Sequence, residues 1–322
     1  MIEAVELTKD FAGFLAVKDV SVTVAEGEVL AFLGPNGAGK TTTVRMFGSI
    51  LKPTSGYARV AGFDTVTQAR QVRQVIGLLT EFPGLYQRMS GLDYLTFFGE
   101  LQAMPRQLIR SRSEELLRRF ELWDARNQQV GTYSKGMKQK LTLVRAMLHD
   151  PLVLFLDEPT SAMDPHSAKL VRDSIANLRR DRRTIVLCTH NLNEAELLAD
   201  RIAIIRRGQI IAQGAPRQLK QRLVGDPIME IRLATPLNGL VSMINGNAQV
   251  ITHGDNWVRY TTPQPEQFNP LLLAELARRN TPVVTLSEVP LSLEDVYLRI
   301  VESDQQVEDV VKAAAANPEL TG

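Results

Sequence analysis

Three short runs of consecutive apolar residues stand out along the chain: EVLAFL at 28–33, LVLFLD at 152–157 and TIVLCT at 184–189. Each is of strand length and rich in aliphatic or β-branched side chains, which predicts strands buried on both faces. A glycine-rich turn follows the first run, and a helix is expected from about Lys40 to Leu51. Between the other two, SAKLVRDSIANLRRD has helical spacing, with Leu170, Val171, Ile175 and Leu178 on one face. Strands alternating with helices imply a parallel sheet covered on both sides. Residues 90–150 break that rhythm and read as a mostly helical insertion. IAIIRRGQIIAQG at 202–214 predicts a hairpin around Arg207-Gly208, followed by a helix to about Leu223.

The pattern changes at Gly225-Asp226-Pro227. Beyond it come strand-like IMEIRL, AQVITHG, WVRYTT and PVVTLSEV, with helical PLNGLVSMI and NPLLLAELARRN between them. Three segments are therefore expected: a main domain at 1–224, a small α/β domain with antiparallel strands at 225–302, and an Ala-rich acidic tail at 303–322.

Composition narrows the class. The chain has 322 residues, 44% hydrophobic and 23% charged, which suits two folded domains and excludes a disordered chain. No apolar run approaches the ~20 residues of a membrane helix. The acidic start MIEAVELTKDF lacks the basic, apolar opening of a secretory signal. The one cysteine, Cys188, excludes an internal disulfide and suits a reducing compartment. The expectation is a cytoplasmic protein whose membrane role, if any, comes through a partner. The overall charge of +1 hides an asymmetry: residues 225–302 carry five Arg and nine acids, whereas residues 1–224 are basic. A basic domain suits nucleotide phosphate or nucleic acid. The Arg-rich stretches 106–119 and 179–183 lack interleaved aromatics, so they read as solvated helix faces and direct nucleic-acid binding is not expected.

Gly34-Pro35-Asn36-Gly37-Ala38-Gly39-Lys40-Thr41-Thr42 fits the phosphate-loop pattern GxxxxGK[ST] in full, between a predicted strand and a predicted helix. Glycines let successive N–H groups curl around phosphate oxygens, and the helix N-terminus adds partial positive charge. Lys40 can reach the β- and γ-phosphates, and the Thr41 hydroxyl can ligate Mg²⁺. Asp157 and Glu158 end the second apolar run, stopped by Pro159. Alone, such a pair is as well explained by a turn. Beside a phosphate loop, the first carboxylate is placed to hold Mg²⁺ through water and the second to polarise an attacking water.

These residues resemble the nucleotide-binding subunit of ABC transporters. Tyr133-Ser134-Lys135-Gly136-Met137 is similar to the family signature LSGGQ, with Ser134 standing 94 residues after Lys40. Ser161-Ala162-Met163-Asp164 looks like the family's D-loop, and His190 like its switch histidine. Phe11 occupies the place of the aromatic that stacks on adenine. The resemblance covers 1–224 and implies a P-loop NTPase fold of ABC type: a parallel-sheet core with antiparallel β and helical subdomains, plus the small C-terminal α/β domain. It implies ATP as ligand, Mg²⁺ as cofactor, Glu158 as general base and His190 as γ-phosphate sensor. It also implies a head-to-tail dimer in which Ser134 and Gly136 of one subunit cap ATP held by the other, with Asp164 linking the two sites. The ending SLEDVYLRIVE is similar to the C-terminal domain of drug-resistance and export members. The resulting expectation is an ATPase powering a separate membrane permease, as an exporter, from the inner face of the membrane. The alternative class is a soluble ABC-type ATPase acting on ribosomes or nucleic acid. Such proteins usually carry two cassettes or a long coiled coil, and here only 117 positions separate Lys40 from Asp157.

Two residues depart from the family pattern. Lys135 replaces the signature's first glycine, and Glu81 falls where the family has a Mg²⁺-ligating glutamine. Five aromatics, Phe82, Tyr86, Tyr94, Phe97 and Phe98, cluster in this region. Tyr94, Phe97 and Phe98 recur at helix spacing and read as core, while Phe82 and Tyr86 flank Pro83-Gly84 and are expected to contact the permease.

Overall fold

The computed structural model describes residues 1–80, 84–161, 163–219, 226–237, 239–245 and 248–289. The chain divides into two compact units, Met1–Pro216 and Arg217–Gly322. The boundary expected at 224–225, the stretch SLEDVYLRIVE and the tail 303–322 lie outside the described residues, as do Glu81, Phe82 and Ala162.

The first unit begins β1 (Ile2–Phe11), β2 (Phe14–Val24), β3 (Val29–Leu33), α1 (Lys40–Phe47), β4 (Ser55–Val60), β5 (Phe63–Asp64), α2 (Ala69–Val75) and β6 (Ile76–Leu79). A helical stretch follows, α3 (Gly91–Leu101), α4 (Arg106–Arg119) and α5 (Lys135–Met147). The chain then returns to alternation: β7 (Val153–Asp157), α6 (Pro165–Arg180), β8 (Thr184–Thr189), α7 (Leu192–Leu198), β9 (Arg201–Arg206) and β10 (Gln209–Gly214).

The three apolar runs lie side by side. A six-stranded sheet has the order β10-β9-β3-β8-β7-β6 and is parallel except for the antiparallel edge strand β10. Every residue of β3, β7 and β8 is buried, as unbroken apolar strands require. A second sheet, β2-β1-β4-β5, is antiparallel throughout. Helix α1 contacts both sheets. Its Phe47 lies 6.3 Å from Phe32 on β3 and 6.1 Å from Phe155 on β7, ring centre to ring centre. Burial of Phe47 with Val44 and Met46 of the same helix helps dock it.

Helix α1 ends at Phe47 rather than Leu51. The Ile50 N–H donates to the Arg45 carbonyl and the Ser49 N–H to Met46, with Ser49 at φ 55. This is a Schellman stop with serine where glycine is usual. On α6, Val171 and Ile175 are buried as expected, while Leu170 is half-buried. The hairpin at Arg207-Gly208 has positive φ at both positions, 48 and 79, as a tight two-residue turn demands.

The second unit contains β11 (Ile228–Leu233), α8 (Leu240–Asn245), β12 (Gln249–His253), β13 (Trp257–Thr261), α9 (Pro265–Arg278) and β14 (Val283–Glu288). Its sheet, β12-β13-β11-β14, is antiparallel. Ile231, Val258 and Tyr260 from the sheet pack with Leu240, Ile244, Leu272 and Leu276 from the two helices in a core of its own.

Candidate active site

The site is built at the carboxyl ends of β3, β7 and β8, where ligands of open parallel sheets bind. The chain leaves β3 at Gly34, where a Cβ would lie 2.2 Å from the Ile205 carbonyl oxygen, so no side chain fits. Gly39 closes the loop at φ +105, with an added Cβ 2.6 Å from the Ala16 carbonyl. Gly39 is the N-cap of α1 and offers no side-chain cap, which leaves first-turn N–H groups for an external acceptor. Lys40 is buried, and its Nζ donates to the carbonyls of Gly34 at 2.6 Å and Pro35 at 3.0 Å. The cation is thus held inside the loop.

Asp157 ends β7 and is 2% exposed; its Oδ2 accepts the Thr41 hydroxyl at 2.7 Å. Glu158 follows in a left-handed conformation, φ 50, which turns the chain sharply off the strand. Its backbone is held from two sides: its N–H donates to Cys188 at 2.9 Å, and Gln139 of α5 donates to its carbonyl at 3.2 Å. Glu158 Oε1 accepts the His190 backbone N–H at 2.9 Å and lies 2.7 Å from His190 Nδ1. The carboxylate is largely buried and the imidazole largely exposed. Cys188 is buried behind this pair, and burial, with Asp157 alongside, pushes its thiol well above the usual range.

A cavity of about 380 Å³ is lined by residues 36–42, Asp157, Glu158, Phe11, Phe14 and Ala16, but not by His190. Phe11 and Phe14 face each other across the β1–β2 turn and are both exposed, the former with Lys9 Nζ 5.1 Å from its ring centre. Ser134, Gly136 and Asp164 do not line this cavity. Ser134 caps α5, accepting the Met137 N–H at 3.2 Å, and Lys135 and Gly136 form the first turn. Asp164 caps α6, accepting the Ser167 N–H at 3.0 Å, and this bond holds its carboxyl below the usual range. Tyr86 is half exposed and meets Phe97 edge to face at 5.5 Å, while Tyr94 is fully buried.

Sequence reasoning missed Phe14, Ala16 and Gln139. Phe14 was open to it, since the short FAGF places two aromatics across one turn. The others carry no motif.

A family model described as ABC transporter matches residues 17–161. The ABC transporter ATP-binding protein NatA of Bacillus subtilis is 40% identical over 226 residues, which is 70% of this chain and 92% of that protein. The chain belongs to the ABC transporter family. It is one of the family's ATP-binding subunits and an ATPase. Nod factor export ATP-binding protein I of Rhizobium johnstonii is 36% identical over 93% of this chain and 94% of its own length, so the similarity extends through the second unit. Doxorubicin resistance ATP-binding protein DrrA of Mycobacterium tuberculosis (strain ATCC 25618 / H37Rv) is 34% identical over 93% of this chain and 89% of its own length. Among solved structures, an ATP-binding subunit of an ABC transporter superposes with a TM-score of 0.65 at 26% identity, covering 69% of this chain and 92% of that one. A dimeric post-hydrolysis cassette bound to ADP and Pi superposes with a TM-score of 0.63 at 25% identity, covering 67% and 98%. The fold is that of an ABC-type ATPase cassette.

Proposed function

We propose that this ATPase powers export through a separate integral membrane permease, working from the cytoplasmic face as a dimer of ATP-binding subunits. The observation that carries the reading is one cavity lined by residues 36–42 of the phosphate loop, the bonded Thr41 and Asp157, and Glu158, whose carboxylate reaches His190 beside it. Relatives along nearly the whole chain are export and drug-resistance ATP-binding proteins. No helix of the described residues is long and apolar enough to cross a membrane.

Residues 36–42 and the α1 N-terminus receive the phosphates, and Lys40 offsets their charge. Phe11, with Phe14, stacks on the base. The Thr41 hydroxyl and the Asp157 carboxylate are adjacent hard oxygen donors, the set that suits Mg²⁺, which takes few protein ligands beside phosphate. When bound, Mg²⁺ neutralises and orients the phosphate oxygens. Glu81, outside the described residues, is proposed as a further oxygen ligand. Glu158 takes the proton of the attacking water, and His190 fixes the carboxylate while its exposed edge meets the γ-phosphate. Ser134 and Gly136 cap the ATP of the partner subunit, and Asp164 links the two sites. Residues 1–224 form the ATP-binding domain, and 225–302 serve dimerisation or regulation.

A mostly apolar cavity of about 180 Å³, lined in part by Ile50, Leu78, Phe98, Arg145 and His149, supports a docking role for the region around Tyr86. The test is affinity purification from detergent-solubilised membranes. Recovery with one multi-span protein that raises the ATPase rate supports the reading, and recovery with ribosomes alone contradicts it.

A further inference from the structure

Glu194 is a buried carboxylate outside the phosphate-binding cavity, 4% exposed in the first turn of α7. Its two oxygens accept from two different segments. Oε1 takes the Thr160 hydroxyl at 2.8 Å and Oε2 takes the Thr189 hydroxyl at 2.9 Å. Thr160 lies two residues after Glu158, on the stretch that leads to Asp164. Thr189 ends β8 and directly precedes His190. The strap is itself fastened: the Asn191 N–H donates to Thr189 Oγ1 at 3.0 Å, and the Glu194 N–H donates to Asn191 Oδ1 at 3.1 Å.

An apolar residue would fill this position at lower cost, because a buried carboxylate satisfied by two neutral hydroxyls loses more hydration than those bonds return. Burial accordingly raises its titration point. What the carboxylate does, and an apolar residue cannot, is bond to both loops at once. The two loops carry Glu158 and His190, whose contact is 2.7 Å and whose relative placement sets where a water can be deprotonated.

We propose that Glu194 is a positioning residue for hydrolysis, a two-oxygen strap that fixes the segment after Glu158 against the segment before His190. It touches no substrate and acts through Thr160 and Thr189. The inference rests on the reading of Glu158 and His190 as the hydrolytic pair.

The test uses the full chain. In Glu194→Ala both bonds are lost, and kcat is expected to fall about 10–100-fold, the scale of a misplacement near 1 Å, with ATP affinity unchanged. In Glu194→Gln the amide can accept from one hydroxyl and donate to the other, so most of kcat is expected to return. Thr160→Val cuts one bond of the strap, Thr189→Val cuts the other together with the Asn191 N–H bond, each should lower kcat, and adding Thr160→Val to Glu194→Ala should cost nothing further. A folded Glu194→Ala with wild-type kcat overturns the proposal. So does loss of kcat and ATP affinity together with no recovery by glutamine, since that pattern marks general destabilisation. If Glu194→Ala does not fold, the two valine variants decide: wild-type kcat in both overturns it. Glu158→Gln run alongside separates the two readings, because wild-type turnover there removes the hydrolytic pair itself, whereas its loss with an unaffected Glu194→Ala removes only the strap.

Discussion

On the proposed reading Lys40 offsets the charge of the bound phosphates, and its surroundings allow that share to be worked out. The ammonium is 6% exposed, so its desolvation is already met on folding. Two of its three N–H groups go to the Gly34 and Pro35 carbonyls, which leaves one donor for phosphate without breaking either bond. A unit charge about 4 Å from a phosphate charge is worth about 4 kcal/mol at an effective dielectric of ~20. Removing it should therefore weaken ATP binding by ~10²–10³-fold, or about 3–4 kcal/mol. Lys40→Ala removes charge and volume, while Lys40→Met removes only charge. Calorimetric titration with ATP, beside thermal unfolding to confirm folding, should show both variants equally weak. Dissociation constants within about threefold of wild type in both would refute the reasoning, and a normal Met variant beside a weak Ala variant would assign the effect to packing.

Gly39→Ala should lower thermal stability by about 1–3 kcal/mol and abolish ATP binding, because a side chain at φ +105 also meets the Ala16 carbonyl; wild-type melting and affinity would contradict this. Phe11→Ala should weaken ATP by about 1 kcal/mol while leaving tripolyphosphate affinity unchanged, as stacking requires; equal loss for both ligands would argue against it. His149 is half-buried with Nε2 2.8 Å from the Ile76 carbonyl, and its partial burial lowers its titration point. The folded state resists a proton that the unfolded chain accepts below about pH 6.5, so stability is full above that value and falls as pH drops through the folded titration point. Urea unfolding at a series of pH values should show that slope reduced in His149→Gln, and identical slopes would refute the assignment.

Much of this was legible in the residues. β3, β7 and β8 are unbroken apolar runs because strands buried on both faces need no polar alternation, and the phosphate loop lies between strand and helix as its chemistry demands. The end of α1 was hidden, because Ile50 and Leu51 continue the apolar spacing and the left-handed stop falls on Ser49, where no glycine announces it. Glu158 hides its positive φ in the same way. The β1–β2–β4–β5 sheet came only from the family resemblance, since pairings between distant segments leave no local pattern. Gln139 and Glu194 were invisible for a related reason. Each is an ordinary helix residue in sequence, and its part in the site follows from which loop the fold lays against it.

ATP turnover by Glu158→Gln is the most direct measurement. The amide keeps the shape of the carboxylate and cannot take a proton from water, so ATP affinity should hold while phosphate release falls by ~10²–10⁴-fold. Unhydrolysed ATP should then be recovered bound to a dimer in gel filtration. Phosphate release at the wild-type rate would contradict hydrolysis at this site through this residue.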